Sequence, residues 1–144
     1  TVFQRTANFV LPARNRPAES AEQREHKATY RERRQAAYDT PFGIAGYPPP
    51  TYKALEVSAV ERESTYAANW AMGGSISFLY AYTDLLLDDA ANETASEFVR
   101  QRIRETVKDP HTAALLCPSN HPIGTKRLIL DTTITRRLTA TTWR

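Results

Sequence analysis

The sequence predicts a mainly α fold, a long helical stretch flanked by short strand pieces. Three observations lead there. The opening Thr1-Val2-Phe3-Gln4-Arg5-Thr6 alternates apolar and polar residues, the period of a strand, and ends on a cation. Near the close, Gly124-Thr125-Lys126-Arg127 runs into the apolar Leu128-Ile129-Leu130, again a turn with cations beside a β-like run. Between them, apolar residues recur at helical spacing behind recognisable caps. Neither end is a complete folding unit. The chain therefore reads as a piece of a larger protein whose two basic ends meet at an anion site, with an insert looped out between them.

Taken in order, Thr1 to Val10 is expected to form a strand leading to a turn, and Pro12, Asn15 and Pro17 mark a loop. Ala18 to Tyr38 is helical by composition, with Ser20 and Gln23 spaced as a capping box. Its apolar stripe is thin, so it is expected on the surface, with Arg31, Arg33 and Arg34 as a solvated face. Asp39 to Pro50, rich in Pro and Gly, is an irregular loop. Ser58 and Glu61 open a helix that stops at Gly73-Gly74. Ile76 to Leu87, the most apolar stretch, is expected to be a buried helix. Asp88 or Asp89 caps the next helix, reaching about Lys108. Its buried face is Ala91, Ala95, Phe98, Val99, Ile103 and Val107, with Glu93, Glu97, Arg100, Arg104 and Lys108 opposite. Asp109-Pro110 starts a short helix through Leu116.

The 144 residues suit one domain, and a hydrophobic content of 41% can supply a core. A formal net charge of +3 is too small to imply nucleic acid without a localised patch. Arginines far outnumber lysines, which favours rigid, permanently charged forks. Cys117 is the lone cysteine, so an intrachain disulfide is impossible and a reducing, cytoplasmic compartment is expected. No apolar run reaches the length of a membrane span, and no signal peptide is visible. The chain also lacks an initiating Met and starts inside a strand-like run, so it is expected to have been cut from something longer.

Most candidate chemistry falls away. His26, His111 and His121 lack metal-ligand spacing to each other or to Cys117, and read as ordinary surface or turn histidines. There is no GxSxG elbow, Gly73-Gly74 reads as a helix stop, and Asp88-Asp89 reads as a cap. Two segments remain. In dinucleotide-binding βαβ folds, an acid at the end of the second strand takes the ribose 2′-hydroxyl of NAD, whereas an Arg accommodates the 2′-phosphate of NADP. The opening segment ends Gln4-Arg5-Thr6 with no acid; Arg5 can grip phosphate and Thr6 can add a hydroxyl. In the second segment Lys126 and Arg127 are adjacent, so they point in different directions and can serve two anions.

These ends, in this order and with this helical filling, resemble the Baeyer–Villiger monooxygenases of the phenylacetone and cyclohexanone monooxygenase type. The similarity covers nearly all of residues 1 to 132. It includes the opening hexapeptide, Pro12-Ala13-Arg14-Asn15-Arg16-Pro17, Ala90-Ala91-Asn92-Glu93-Thr94, Val107-Lys108-Asp109-Pro110 and Gly124-Thr125-Lys126-Arg127. The resemblance implies an internal fragment of an FAD- and NADPH-dependent enzyme. Residues 1–12 and 121–132 would be pieces of an incomplete Rossmann-type NADPH domain, and 13–120 its helical insert. Arg5, Thr6 and Lys126 match positions that hold the NADPH 2′-phosphate, and Arg127 matches the catalytic Arg beside the flavin. The implied reaction places one oxygen atom of O2 next to a ketone carbonyl through a C4a-peroxyflavin, giving an ester or lactone. Neither a GxGxxG turn nor the FxGxxxHxxxW fingerprint occurs, so the fragment alone is expected to be inactive. After Asp131 the family continues with paired tyrosines and a Glu. Residues 133–144 depart from that and read as a frame-shifted tail.

Two rivals stand beside this reading. One is an independent helical interaction module using its Arg-rich helix on an acidic partner. The other is a related flavin monooxygenase acting on amines or sulfides, whose simpler members lack most of the insert.

Overall fold

The computed structural model describes residues 5–40 and 43–131. The expected strand at Thr1–Gln4 and the tail beyond Asp131 therefore lie outside the described residues. The order of elements is β1 (Val10–Pro12), α1 (Ser20–Ala28), α2 (Tyr30–Tyr38), α3 (Ala59–Met72), α4 (Ser75–Leu79), α5 (Asp89–Thr106), α6 (Pro110–Leu116) and β2 (Ile129–Asp131). About half of the chain is helical, and β1 and β2 form a two-stranded parallel sheet. The chain divides into two compact units. One comprises the residues up to Arg14 together with those from Pro50 onward; the other is Asn15–Pro49.

In the larger unit, caps set the helix starts where side-chain oxygens can take orphan backbone donors. Ser58 accepts from Glu61 N at 3.2 Å, Asp88 from Ala91 N at 2.8 Å and Asp109 from Thr112 N at 2.8 Å. Gly73, with φ of 81°, ends α3, and Pro110 sits in the first turn of α6. All three of these helices match the sequence expectation. The predicted apolar face of α5 is buried throughout, and Arg100 closes the opposite face by pairing with Glu93 at 2.9 Å and Glu97 at 3.2 Å.

The core centres on aromatic rings from α3, α4 and α5. Tyr66 lies 5.4 Å from Phe78, 5.6 Å from Phe98 and 5.7 Å from Tyr82, and Trp70 meets Phe98 edge-on at 5.9 Å. Arg102 covers the outer face of Phe98, 4.7 Å from its centroid. Burial pushes the Tyr66 hydroxyl up to about 12, and it is satisfied by Thr94 Oγ1 at 2.8 Å.

Three local expectations are corrected. Of the strand expected over Thr1 to Val10, residues 5–9 are non-strand, and β1 begins at Val10 and runs on through Pro12, into the expected loop. Register explains why a proline is tolerated there. Ile129 N donates to Phe9 O at 3.1 Å and Ala13 N to Asp131 O at 2.9 Å, so positions 9, 11 and 13 face β2 and Pro12's donorless nitrogen faces away. Ile76 to Leu87 is not one helix. Only Ser75–Leu79 is helical, because the following turns are tied to the preceding loop: Thr83 N donates to Tyr52 O at 3.0 Å, and Asp84 Oδ1 accepts from Ala54 N at 2.9 Å. Phe78, Tyr82 and Leu85 still reach the core, whereas Leu87 is 86% exposed.

In the smaller unit the expected single helix is two. It starts at Ser20 because Glu19 is extended and its N–H donates to the Glu22 carboxylate at 3.0 Å, which replaces the expected Ser20–Gln23 box. The Arg16 guanidinium, at 2.8 Å from Glu22, holds that carboxyl down at about 2, with help from the Glu19 backbone N–H. The break falls at Thr29, whose hydroxyl donates to Glu25 O at 2.9 Å and accepts from Arg33 Nε at 2.8 Å. Neither helix buries a residue, as the thin apolar stripe predicted. Among the described residues no helix is long and apolar enough to cross a membrane.

The ring cluster generates a paired test. Phe98→Ala is expected to destabilise by about 3–5 kcal/mol in urea unfolding, as aromatic truncations in packed cores do. Tyr82, whose hydroxyl is buried with no hydrogen-bond partner among the described residues, is expected to behave oppositely. Tyr82→Phe should be neutral or stabilising, by up to about 1 kcal/mol.

Candidate functional site

The site is built outward from α5. Asn92, in its first turns, is buried among apolar neighbours, and both its amide donors and its oxygen are bonded to backbone. Its Nδ2 donates to Leu85 O at 2.7 Å and Ile123 O at 2.9 Å, and its Oδ1 accepts from Ile123 N at 2.9 Å. Ser96, one turn on, donates to Asn92 Oδ1 at 3.1 Å and accepts from Ile123 N at 3.3 Å. Both polar groups of Ile123 are thus clamped by one side chain, and the buried network is satisfied.

The clamp places a turn. Thr125 N lies 3.4 Å and its hydroxyl 2.8 Å from Pro122 O, which closes Pro122-Ile123-Gly124-Thr125. Gly124 has φ of 90°, and a Cβ there would lie 2.6 Å from Leu86 Cδ2. The positive φ strains any other residue here, and a Cβ would also push the Leu86 side chain aside. Lys126 and Arg127 follow, exposed, and Leu128 then enters the core.

Asn8 brings the opening segment to this turn. Its Nδ2 donates to Arg127 O at 3.0 Å and its Oδ1 accepts from Phe9 N at 2.9 Å. Lys126 Nζ then lies 3.4 Å from Thr6 Oγ1, 120 residues away in sequence. Of the four sequence-predicted site residues, the structure joins Thr6 and Lys126 through side chains and Arg127 through its backbone carbonyl. Arg5 is exposed beside Thr6. None of the ion pairs found among the described residues involves Arg5, Lys126 or Arg127, whereas Arg16, Arg33, Arg100, Arg102 and Arg104 are all committed to acids.

Sequence reasoning passed over Asn8 and His121. The His121 ring meets Phe9 edge-on at 5.4 Å, with Nε2 at 3.4 Å from Asn8 Oδ1 and Nδ1 at 2.8 Å from Asn120 Oδ1. Burial, and secondarily the charge of Lys126, push its pKa below the ordinary imidazole value. No local pattern announces either residue, since their partners lie 113 and 119 positions away. Asn92 did leave a trace: Asn92, Ser96, Val99 and Ile103 share one helical stripe, so two polar residues continue an apolar face. Among the described residues no cluster of three or more metal-ligating side chains occurs.

Two outcomes follow. Asn92→Ala strands the Ile123 and Leu85 carbonyls and should cost about 3 kcal/mol in urea unfolding, while Ser96→Ala, which leaves Ile123 N its Asn92 partner, should cost about 1 kcal/mol. The lowered His121 pKa means that the unfolded chain takes the proton first as pH falls. Stability should therefore decline as pH drops from 6.5 through the lower folded value. Thermal melts of native and His121→Gln protein across that window check this, and the variant should lack that component.

No protein-family model matches the sequence. Curated relatives do. A phenazine N-monooxygenase of Lysobacter antibioticus is 35% identical over 121 residues, 83% of this chain and 22% of that enzyme. A Baeyer–Villiger monooxygenase of Pseudooceanicola batsensis is 32% identical over the same span and shares of length. A cyclopentanone 1,2-monooxygenase of a Comamonas species is 34% identical over 139 residues, 91% of this chain and 24% of that enzyme. Solved structures agree. A steroid monooxygenase bound to NADP superposes with a TM-score of 0.87 at 40% identity, covering 96% of this chain and 26% of that one. OTEMO in complex with FAD and NADP gives 0.90 at 29% identity with the same coverage. The chain thus spans about a quarter of the length of the relatives it matches, and over that span it belongs to the Baeyer–Villiger and related flavin monooxygenases.

Proposed function

We propose that this segment holds the 2′-phosphate of NADPH and supplies the fixed cation of an FAD- and NADPH-dependent monooxygenase that oxygenates a ketone beside its carbonyl. In that reaction one atom of O2 enters the carbon–carbon bond, the other leaves as water, and NADPH supplies two electrons. The product is an ester or lactone.

The observation that carries the reading is the meeting of Lys126 Nζ and Thr6 Oγ1 at 3.4 Å. A phosphate needs hydrogen-bond donors and positive charge, and it is repelled by acids. Thr6 offers a hydroxyl, Lys126 a point charge, and Arg5 a planar fork beside them. None of the three is spent in an ion pair among the described residues. An acid in place of Arg5 would instead suit the free ribose hydroxyl of NADH. The parallel pairing of β1 with β2 supports reading residues 1–12 and 121–132 as pieces of a Rossmann-type NADPH domain, with 13–120 as its helical insert. Exposed Ile129 and Leu130 fit a sheet covered on both faces in the whole enzyme.

Arg127 has a different task. Its carbonyl is pinned by Asn8, and the residue is exposed. A guanidinium cannot be titrated away, so it can stabilise negative oxygen as the reaction proceeds. FAD, when bound, supplies the activation of O2. This chain contains no GxGxxG turn to hold it. The single cysteine, free, supports a cytoplasmic setting.

A second reading, oxidation at nitrogen, is favoured by the similarity to the phenazine N-monooxygenase. Product analysis separates them: a ketone gives an ester or lactone, and a heteroaromatic amine gives an N-oxide.

In the enzyme that carries this segment, Lys126→Ala should raise KM for NADPH about 10- to 100-fold, the scale of a charge-assisted hydrogen bond, and leave KM for NADH nearly unchanged. Arg127→Ala should leave NADPH affinity within a few-fold but lower ester formation by about 10² to 10³. Equal weakening of NADH and NADPH by Lys126→Ala would remove the 2′-phosphate assignment.

A further inference from the structure

We propose that His121 is a positioning residue that couples protonation to anion binding at Thr6 and Lys126, so that the site grips phosphate more tightly when His121 is charged. The proposal rests on the phosphate reading of that site and adds its regulation.

The argument starts from Asn8. Its amide orientation is fixed by two backbone groups, because Oδ1 must accept from Phe9 N and Nδ2 must donate to Arg127 O. The oxygen facing His121 is therefore an acceptor, and Nε2 of the imidazole must carry a hydrogen. That assigns the neutral tautomer. The second nitrogen, Nδ1, faces only the exposed Asn120 amide, which can present either its NH2 or its oxygen. A proton can thus be added at Nδ1 while the Nε2 contact to Asn8 stays intact. Protonation does not open the joint between the two ends of the site. It adds a positive charge beside them.

The surroundings of the ring decide what that charge does. It packs on Phe9, meets Asn8 and Asn120, and feels the charge of Lys126. No acid is a partner of His121, Thr6 or Lys126 among the described residues. Protonated His121 is therefore opposed by Lys126 in the empty site. A phosphate seated on Lys126 and Thr6 reverses the sign, cancelling that repulsion and attracting the imidazolium. By linkage, the anion must raise the His121 pKa, and protonation must tighten the anion by the same factor.

The test uses adenosine 2′,5′-bisphosphate as probe, with AMP as the control lacking the 2′-phosphate. Both are titrated into the 144-residue chain and into its His121→Gln and Lys126→Ala variants from pH 5 to 8. The 2′-phosphate ionises near pH 6 and weakens binding on acidification in every protein, so the native-minus-variant difference isolates His121. We expect the native protein to bind about two- to fivefold more tightly at low pH relative to His121→Gln, the scale of an exposed charge pair. The His121 ring resonances should titrate at higher pH when the probe is saturating, a readout that needs no variant to fold. An unmoved His121 titration alongside bisphosphate binding that Lys126→Ala abolishes would overturn the coupling and leave the phosphate site standing. Equal affinity for bisphosphate and AMP at every pH would overturn the phosphate reading, and the coupling with it.

Discussion

One buried side chain, Asn92, holds the site to the fold. The donors and acceptor of its amide are all used on the peptide of Ile123 and the carbonyl of Leu85, in a region from which water is excluded. A polar group in such a place destabilises unless every valence is satisfied, so the clamp has one good arrangement and many poor ones. The arrangement is specific because an asparagine amide can pair with a peptide N–H and C=O together. The turn at Gly124 inherits its position from this pairing, and so do the two cations that follow.

The dependence runs further than the turn. A two-stranded parallel sheet of three residues per strand has little stability of its own. Here β1 is held by the helical core. Pro12 O accepts from Gly74 N at 2.8 Å where α3 gives way to α4, and Gly73 has no room for a Cβ, which would lie 2.5 Å from Arg14 Cγ. Phe9 and Leu11 are buried on the same side. The helices are therefore the frame and the strands the mounting. This division explains how a segment that is mostly helix can present an anion site at its two strand ends.

The legible parts of the sequence were those whose cause is local. Ser58, Asp88 and Asp109 cap their helices by bonds three residues long, and the stripe of α5 repeats within one element. Errors came where a distant partner overrode a local preference. The apolar run from Ile76 scored as helix, but Asp84 and Thr83 are recruited by the loop at Tyr52 and Ala54. Alternation cannot show that Val10 to Pro12 form a strand, because their pairing with Ile129 to Asp131 is made across the length of the chain. The site divides the same way. Thr6, Lys126 and Arg127 announced themselves as polar or charged residues at strand ends. Asn8 and His121 carry no such mark, and their meaning appears only when the two ends of the chain are brought together. In the smaller unit the exposure of both helices was legible from their thin apolar stripe, whereas the break at Thr29 and the Glu19–Glu22 box were not.

The most direct measurement of the central claim is an isotope-edited NOE spectrum of the chain, native and Asn92→Ala. Native protein should show cross-peaks from the Thr6 methyl to the Lys126 side chain and from the Asn8 amide to the His121 ring. In Asn92→Ala these should weaken or vanish while contacts among Tyr66, Phe78 and Phe98 persist. Absence of the first set in the native chain, or its survival undiminished in the variant, would contradict the dependence of the site on the clamp.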